Sequence, residues 1–280
     1  MSPDRSGYPE DKKTAVEKVT VRNFIKYKQR GEKIAVLTAY DFFTARILDQ
    51  IGMDVILIGD SVNMVLYGSP TTLSVTMDQM MYHTKAVSSA AKRALVIADM
   101  PFLSYQTGIP EAVTNSGRFL KEGGAGAVKI EGGLELADTI KRIIEMGIPV
   151  MGHIGLTPQS IHRFGGYRVR GKSEEEKKYL MESAKVLEEV GCFSVLLESM
   201  PKTLAQEITE SLKVPTIGIG AGAACDGQVL VINDILGLFE DFQPKFVRRY
   251  AHLGEETRKA CKNFLDDVKS GKYPSNEESY

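Results

Sequence analysis

At 280 residues, with 43% hydrophobic residues and a formal net charge of −1, the chain can bury one large core and has no bulk attraction for nucleic acid or anionic lipid. Its three cysteines, Cys192, Cys225 and Cys261, are odd in number and lack CxxC spacing, which argues against a disulfide framework or thiolate zinc site and for a reducing, cytoplasmic setting. The opening residues are polar, with Pro3 and Pro9, unlike a secretory leader, and no apolar run approaches the roughly 18 residues of a membrane span.

In chain order, the first expected element is a helix over residues 21–29, capped by Thr20 and covering the bottom of the fold. From Lys33 onward, short β-branched runs alternate with helical stretches, the pattern of a parallel sheet with crossover helices. The runs lie at 34–38, 55–58, 94–98, 127–130, 149–151, 194–197, 216–219 and 229–232. Eight such strands suit a closed (β/α)8 TIM barrel, expected as one domain over 1–280, with an extension at 1–20, a core at 33–240, helices within 241–269 and a polar tail at 270–280.

The connecting helices are legible from their ends: 42–51 stops before Gly52, 110–121 starts at a proline and stops before Gly123-Gly124, and 134–146 stops before Gly147. Thr76 can cap a helix reaching about Ala91, which leaves 63–75, with Gly68 and Pro70, as a loop over the active face and a candidate lid. Residues 244–269 suggest one or two amphipathic helices, and the tail from Ser270 should fray.

In parallel barrels the active site forms at the carboxyl ends of the strands. Here those ends carry Asp41, Asp60-Ser61, Asp99, Lys129 with Glu131, His153, Glu198-Ser199 and Gly220-Ala-Gly222 with Asp226. Any one aspartate there could be a turn or helix cap, but Asp60 and Asp99 occupy equivalent points after two successive apolar runs. A matched pair without sulfur or paired histidine ligands suits a hard, oxygen-loving cation, magnesium first. Lys129 alternates with Val128 and Ile130 and should face the lumen, where it could bind a substrate carboxylate, form a Schiff base, or simply pair with Asp99 or Glu131.

Glu198 follows an apolar run and is the cleanest acid/base candidate, because apolar walls raise a carboxyl group's pKa. His153, between glycines 152 and 155, is read as a hydrogen-bonded group supporting the site rather than as its base, and His83, His162 and His252 offer less. The glycine-rich turn at 218–222 is a weak phosphate-binding signal, and the basic loop 165–171 is either solvated or a grip for an anionic ligand such as a polyglutamate tail.

Several of these segments together resemble the ketopantoate hydroxymethyltransferase family over roughly residues 38–250. They include Gly59-Asp-Ser61, Ala98-Asp-Met-Pro-Phe102, Lys129-Ile-Glu-Gly-Gly133, Met151-Gly-His-Ile-Gly-Leu-Thr-Pro-Gln-Ser160, Gly165-Gly-Tyr-Arg-Val169 and Pro215-Thr-Ile-Gly-Ile-Gly-Ala-Gly222. The resemblance implies a Mg2+-dependent enzyme that transfers a hydroxymethyl group from 5,10-methylenetetrahydrofolate to 3-methyl-2-oxobutanoate through a metal-stabilised enolate. The products would be 2-dehydropantoate, on the route to pantothenate and coenzyme A, and tetrahydrofolate. It further implies Asp60 and Asp99 as metal ligands, Glu131 as a further acidic residue of the metal site acting through water, and Asp60, Ser61, Asp99 and Lys129 as oxo-acid contacts. Glu198 matches the proton acceptor, and a homodecamer is the implied assembly.

Three departures stand out: Asn63 at a usual glycine, Ser74 at a usual proline, and Asn233-Asp234 for a usual His-Asp. The first two bear on the shape of the lid, and asparagine can supply a left-handed conformation in place of glycine. Two rival readings are a folate-free lyase or mutase of the phosphoenolpyruvate/isocitrate group, which would often use a loop cysteine, and a catalytically silent binding barrel, which has no reason to keep Asp60, Asp99, Lys129 and Glu198 together.

Overall fold

Eight short strands, each too apolar to leave in water, pair in parallel and close into a (β/α)8 TIM barrel in the order β1 to β8. The computed structural model describes residues 17–240 and 243–280, so most of the expected 1–20 extension, with Pro3 and Pro9, lies outside the described residues, as do 241–242. The order is α1 (Val21–Arg30), β1 (Ile34–Thr38), α2 (Phe42–Gln50), β2 (Val55–Ile58), α3 (Val62–Val65), α4 (Met77–Ala90), β3 (Leu95–Asp99), α5 (Ile109–Lys121) and β4 (Ala127–Glu131). It continues with α6 (Ala137–Glu145), β5 (Val150–Gly155), α7 (Ile161–Phe164), α8 (Glu174–Glu189), β6 (Ser194–Glu198), α9 (Lys202–Ser211), β7 (Thr216–Ile219), β8 (Gly227–Leu230), α10 (Ile232–Ile235) and α11 (Leu253–Ser270).

Side chains alternate across each strand and divide the core in two. One set, including Ile34, Val36, Leu95, Ile97, Ala127, Met151, Leu196 and Ile217, fills the lumen. The other, including Ile56, Ile58, Val96, Ala98, Val128 and Ile130, packs under the helices. The parity matters for the site: Asp99 follows Leu95 and Ile97, Lys129 and Glu131 follow Ala127, His153 follows Met151, and Glu198 follows Leu196. All five therefore project into the upper lumen.

The bottom is closed by α1. Phe24 is fully buried with its ring edge-on to Phe193 at 5.0 Å, a burial that stabilises by roughly 1.5–3 kcal/mol. Lys28 Nζ donates to the Thr209 and Val214 carbonyls and pairs with Asp226 at 2.9 Å. Asp226 immediately precedes β8, whose Gly227 pairs with Ile34 at the start of β1. The expectation that Asp226 belongs to the active face is thus corrected: it ties the bottom together. Asp41 is likewise a cap, accepting from the Thr44 amide at 2.9 Å. The Thr76 cap is present, reciprocated by Gln79.

Other boundaries also differ. β5 runs to Gly155 rather than Met151, and β8 begins at Gly227 and ends before Val231, where the chain turns into α10. The C-terminal part holds one long helix starting at Leu253, because the amides of Tyr250, Ala251 and Leu253 donate to the Ile235 and Leu236 carbonyls instead of to their own preceding turn. Beyond the left-handed Gly271 the tail includes a short 3-10 turn, Asn276–Glu278, capped by Ser275. No residue of α11 is buried.

Candidate active site

At the upper end of the lumen a polar layer replaces the apolar one. Asp60, Asp99, Lys129, Glu131 and His153 are all at least nine-tenths buried, and Glu198 keeps 16% of its side chain exposed. The parallel register sets Asp99 beside Lys129 and Glu131 beside His153. Lys129 Nζ lies 3.1 Å from Asp99 Oδ1 and 3.2 Å from His153 Nδ1. His153 Nε2 is 3.2 Å from Glu198 Oε2, and its Nδ1 is 3.6 Å from Glu131 Oε1. The Asp60 amide donates to Asp99 Oδ2 at 3.0 Å, which fixes the end of β2 against the end of β3.

Burial dominates the electrostatics. It raises the carboxyl pKa values of Asp60 and Glu131, partly opposed by the Lys129 charge, and pushes Asp99 up to about 7. Burial works against the Lys129 ammonium, but Asp99, Glu131 and Asp60 outweigh it and the lysine is held charged. Burial and then Lys129 lower the His153 pKa well below the usual range, so its imidazole is neutral. Because the lysine ammonium has only donors, His153 Nδ1 accepts and the proton sits on Nε2, facing Glu198. Burial pushes Glu198 up to about 7, the value suited to a group that takes and returns a proton near neutrality.

Local backbone explains how Glu198 reaches this position. A side chain at Gly155 (φ 105°) would meet the Glu198 carbonyl oxygen at 2.2 Å, so only glycine lets β5 run this close to β6. The Leu156 amide then donates to that carbonyl at 2.9 Å. Ser199 sits at φ 47°, a strained conformation held by its amide's bond to the Ile219 carbonyl.

Ser61 is half-buried, and its hydroxyl shares a hydrogen with Tyr40 at 2.8 Å. The loop expected as a lid starts with a helical turn, α3, and buries Asn63, Thr72 and Val75 while Leu66 and Tyr67 stay exposed. Asn63 lies within that turn, so the left-handed conformation allowed for it is not used. Instead its buried Nδ2 donates to the Thr71 carbonyl and to Ser74 Oγ, which joins two of the three sequence departures in one contact. Tyr67 donates to His83 Nε2 at 2.7 Å, while His83 Nδ1 donates to the Tyr40 carbonyl.

Two positions expected to bind anions have structural work. A side chain at Gly220 would strike the Phe246 ring at 2.9 Å, and one at Gly222 would strike Lys202 Cβ at 2.7 Å, so this turn is small for packing. Arg170 stacks on Phe164 at 4.0 Å and pairs with Glu176 at 3.0 Å. Arg168, with Arg163, lines a cavity of about 420 Å³ between the ends of β4 and β5 and the start of α8, which Glu131 and His153 also border.

The sequence reading missed Gln159. This residue is buried on a 3-10 turn, Pro158–Ser160, after β5; its amide N–H donates to Glu131 Oε2 at 2.9 Å and its Nε2 to Asp60 Oδ2 at 3.0 Å. The available signal was a polar residue just past a strand end, within Thr157-Pro-Gln-Ser160.

Among the described residues no three His, Cys, Asp or Glu side chains form a ready-made metal cluster. Magnesium usually needs only one or two protein carboxylates and keeps waters, so Asp60 with Asp99 is a sufficient donor set. The buried Glu131 Oε1 has no hydrogen-bond partner and Asp99 Oδ1 meets only the Lys129 ammonium, a condition that a hard cation or its bound water relieves. The residues present fit the ion.

A family model described as ketopantoate hydroxymethyltransferase matches residues 18–276. The 3-methyl-2-oxobutanoate hydroxymethyltransferase of Syntrophus aciditrophicus is 53% identical over 263 residues, covering 94% of this chain and 97% of that protein. The enzyme of the same name from Geobacter metallireducens is 56% identical over 263 residues, covering 94% and 98%. Among solved structures, a 2,3-dimethylmalate lyase of the PEP mutase/isocitrate lyase superfamily aligns with TM-score 0.60 at 14% identity, covering 93% of this chain and 91% of that one. A phosphonopyruvate hydrolase complex with oxalate and Mg++ aligns with TM-score 0.59 at 14% identity, covering 92% of each. At that identity the structural likeness speaks to fold alone.

Proposed function

Because the chain belongs to the ketopantoate hydroxymethyltransferase family, we propose that it transfers a hydroxymethyl group from 5,10-methylenetetrahydrofolate to 3-methyl-2-oxobutanoate, giving 2-dehydropantoate and tetrahydrofolate in pantothenate and coenzyme A biosynthesis. The observation that carries this reading at the site is one buried layer in which Lys129 meets Asp99 of the carboxylate pair on one side and His153 on the other, with Glu198, its pKa pushed up to about 7, beyond the imidazole.

Asp60 and Asp99 would hold Mg2+, with Glu131 reaching it through water, and the ion when bound supplies Lewis acidity at the keto and carboxylate oxygens of the oxo acid. Lys129 neutralises the substrate carboxylate, a role that suits its retained charge. Ser61, its hydroxyl positioned by Tyr40, donates to a substrate oxygen. Water opens both methylene–nitrogen bonds of the folate, leaving a proton on each nitrogen of tetrahydrofolate and the one-carbon unit as formaldehyde. Glu198 Oε2 takes the proton from the substrate's tertiary carbon, the C–H electron pair forms the bond to the formaldehyde carbon, and the carbonyl oxygen takes up a proton to become the new hydroxyl. His153 Nε2 lies 3.2 Å from Glu198 Oε2 without a hydrogen bond between them, so the neutral imidazole flanks that carboxylate. The cavity bordered by Arg163 and Arg168 is the approach we assign to the anionic folate tail.

The lyase reading would need a loop cysteine at the active face, but Cys225, the candidate for it, lies in the β7–β8 connection, buried next to Asp226 at the opposite end of the barrel. We also propose the cytoplasm as the location and a homodecamer as the assembly. No helix among the described residues is long and apolar enough to cross a membrane. Support for assembly comes from Phe43 and Ile47 on α2 with Ile51 just past its end, an apolar stripe exposed by 57–68%, and from the unburied α11.

Incubating the protein with 3-methyl-2-oxobutanoate and Mg2+ in D2O, without folate, should exchange the tertiary hydrogen, read by proton NMR. Protein that binds the oxo acid yet leaves this hydrogen in place would contradict enolisation as the first step.

A further inference from the structure

Gln159 spends its main-chain N–H and its whole side-chain amide on hydrogen bonds in and around the polar layer. Its main-chain N–H donates to Glu131 Oε2 at 2.9 Å, and Nε2 donates to Asp60 Oδ2 at 3.0 Å and to the Met100 carbonyl at 2.9 Å. Its Oε1 accepts from Tyr105 Oη at 2.7 Å and from Gln106 Nε2 at 3.3 Å. The Met100 carbonyl can only accept, so the opposite amide orientation would set Oε1 against two acceptors and is excluded. Tyr105, fully buried, has one hydroxyl hydrogen for two acceptors, Gln159 Oε1 at 2.7 Å and the Glu131 carbonyl at 3.1 Å, and the shorter contact assigns it to the amide.

One residue on the turn after β5 thus grips a carboxylate from β4 and the aspartate that lies just beyond β2. The oxygens it takes are Asp60 Oδ2 and Glu131 Oε2, while Glu131 Oε1 stays buried and unpartnered next to His153. We propose that Gln159 is a positioning residue for the cation site: it fixes which carboxylate oxygens of Asp60 and Glu131 are committed to the protein, so that the others are presented to the ion. Tyr105 acts through it by holding the amide. This inference rests on the assignment of Asp60 and Asp99 to a bound cation.

The test is equilibrium binding of Mn2+ to the purified full-length protein, followed by the electron paramagnetic resonance of free Mn2+, without oxo acid or folate. Outer partners of metal ligands typically contribute 10–100-fold to metal affinity, so Gln159→Met should weaken Mn2+ binding by about tenfold or more. Tyr105→Phe leaves the amide in place and should weaken it by a smaller factor, with no further loss when added to Gln159→Met. Thermal unfolding of the same samples separates a packing role, which would lower the midpoint and leave Mn2+ affinity unchanged. If Gln159→Met fails to fold, Tyr105→Phe decides alone. Wild-type Mn2+ affinity in the folded variants, or additive effects in the double variant, would overturn the inference. A wild-type protein that binds no Mn2+ would overturn the metal assignment and this inference with it.

Discussion

Asp60→Asn and Asp99→Asn are each expected to lower kcat/KM by about 10³-fold or more, equivalent to about 4 kcal/mol of transition-state stabilisation. Asparagine keeps the volume, and its carbonyl oxygen can still accept from Gln159 Nε2 at position 60 or from the Asp60 amide at position 99. The change therefore removes charge and metal affinity while sparing the packing. Hydrogen exchange at the substrate's tertiary carbon should disappear together with turnover. Exchange that persists in both variants would refute metal-assisted enolisation.

The folded state should not suffer. The Asp99 carboxyl group is pushed from its ordinary 3.8 up to about 7, chiefly by burial, so ionising it opposes folding. The stability present while both states are protonated is lost as pH rises from 3.8 to about 7. Asp99→Asn escapes that loss, and its unfolding midpoint relative to wild type should rise across the same window.

Glu198→Gln is the second large effect. Losing a positioned general base typically costs about 10²–10⁴-fold, and the loss should fall on kcat, with the KM for the oxo acid nearly unchanged. In the wild type, kcat/KM should rise with pH on an acid limb near 7, since Glu198 must be unprotonated to accept a proton. Glutamine keeps the volume beside His153, and the imidazole stays held through Nδ1 by Lys129 at 3.2 Å. Equal loss of substrate binding and turnover would make Glu198 a structural residue.

The barrel was legible because its strands are short, β-branched and regularly spaced, and because side-chain alternation sends Lys129 to the side opposite Val128 and Ile130. Asp60, Asp99, Lys129 and Glu198 could be picked out because an ionisable residue ending an apolar run is anomalous. That rule does not distinguish a lumenal carboxylate from a cap: Asp41 fits it equally well and caps α2. Nor does it identify the end of the barrel, since Asp226 opens β8 rather than closing β7. Gln159 escaped because a neutral amide on a turn has no periodicity and no charge, and its importance comes from contacts with residues 28 and 99 positions away in sequence. The stretch before α11 eluded the helical pattern because its amides bond to α10, a tertiary choice that local propensity does not encode.

The central claim is tested most directly by incubating the purified protein with 3-methyl-2-oxobutanoate, 5,10-methylenetetrahydrofolate and Mg2+, with and without a chelator, and measuring 2-dehydropantoate. Product that forms with Mg2+, stops with the chelator and returns when Mg2+ is restored is the predicted result. A folded, Mg2+-loaded protein that makes no 2-dehydropantoate would contradict it.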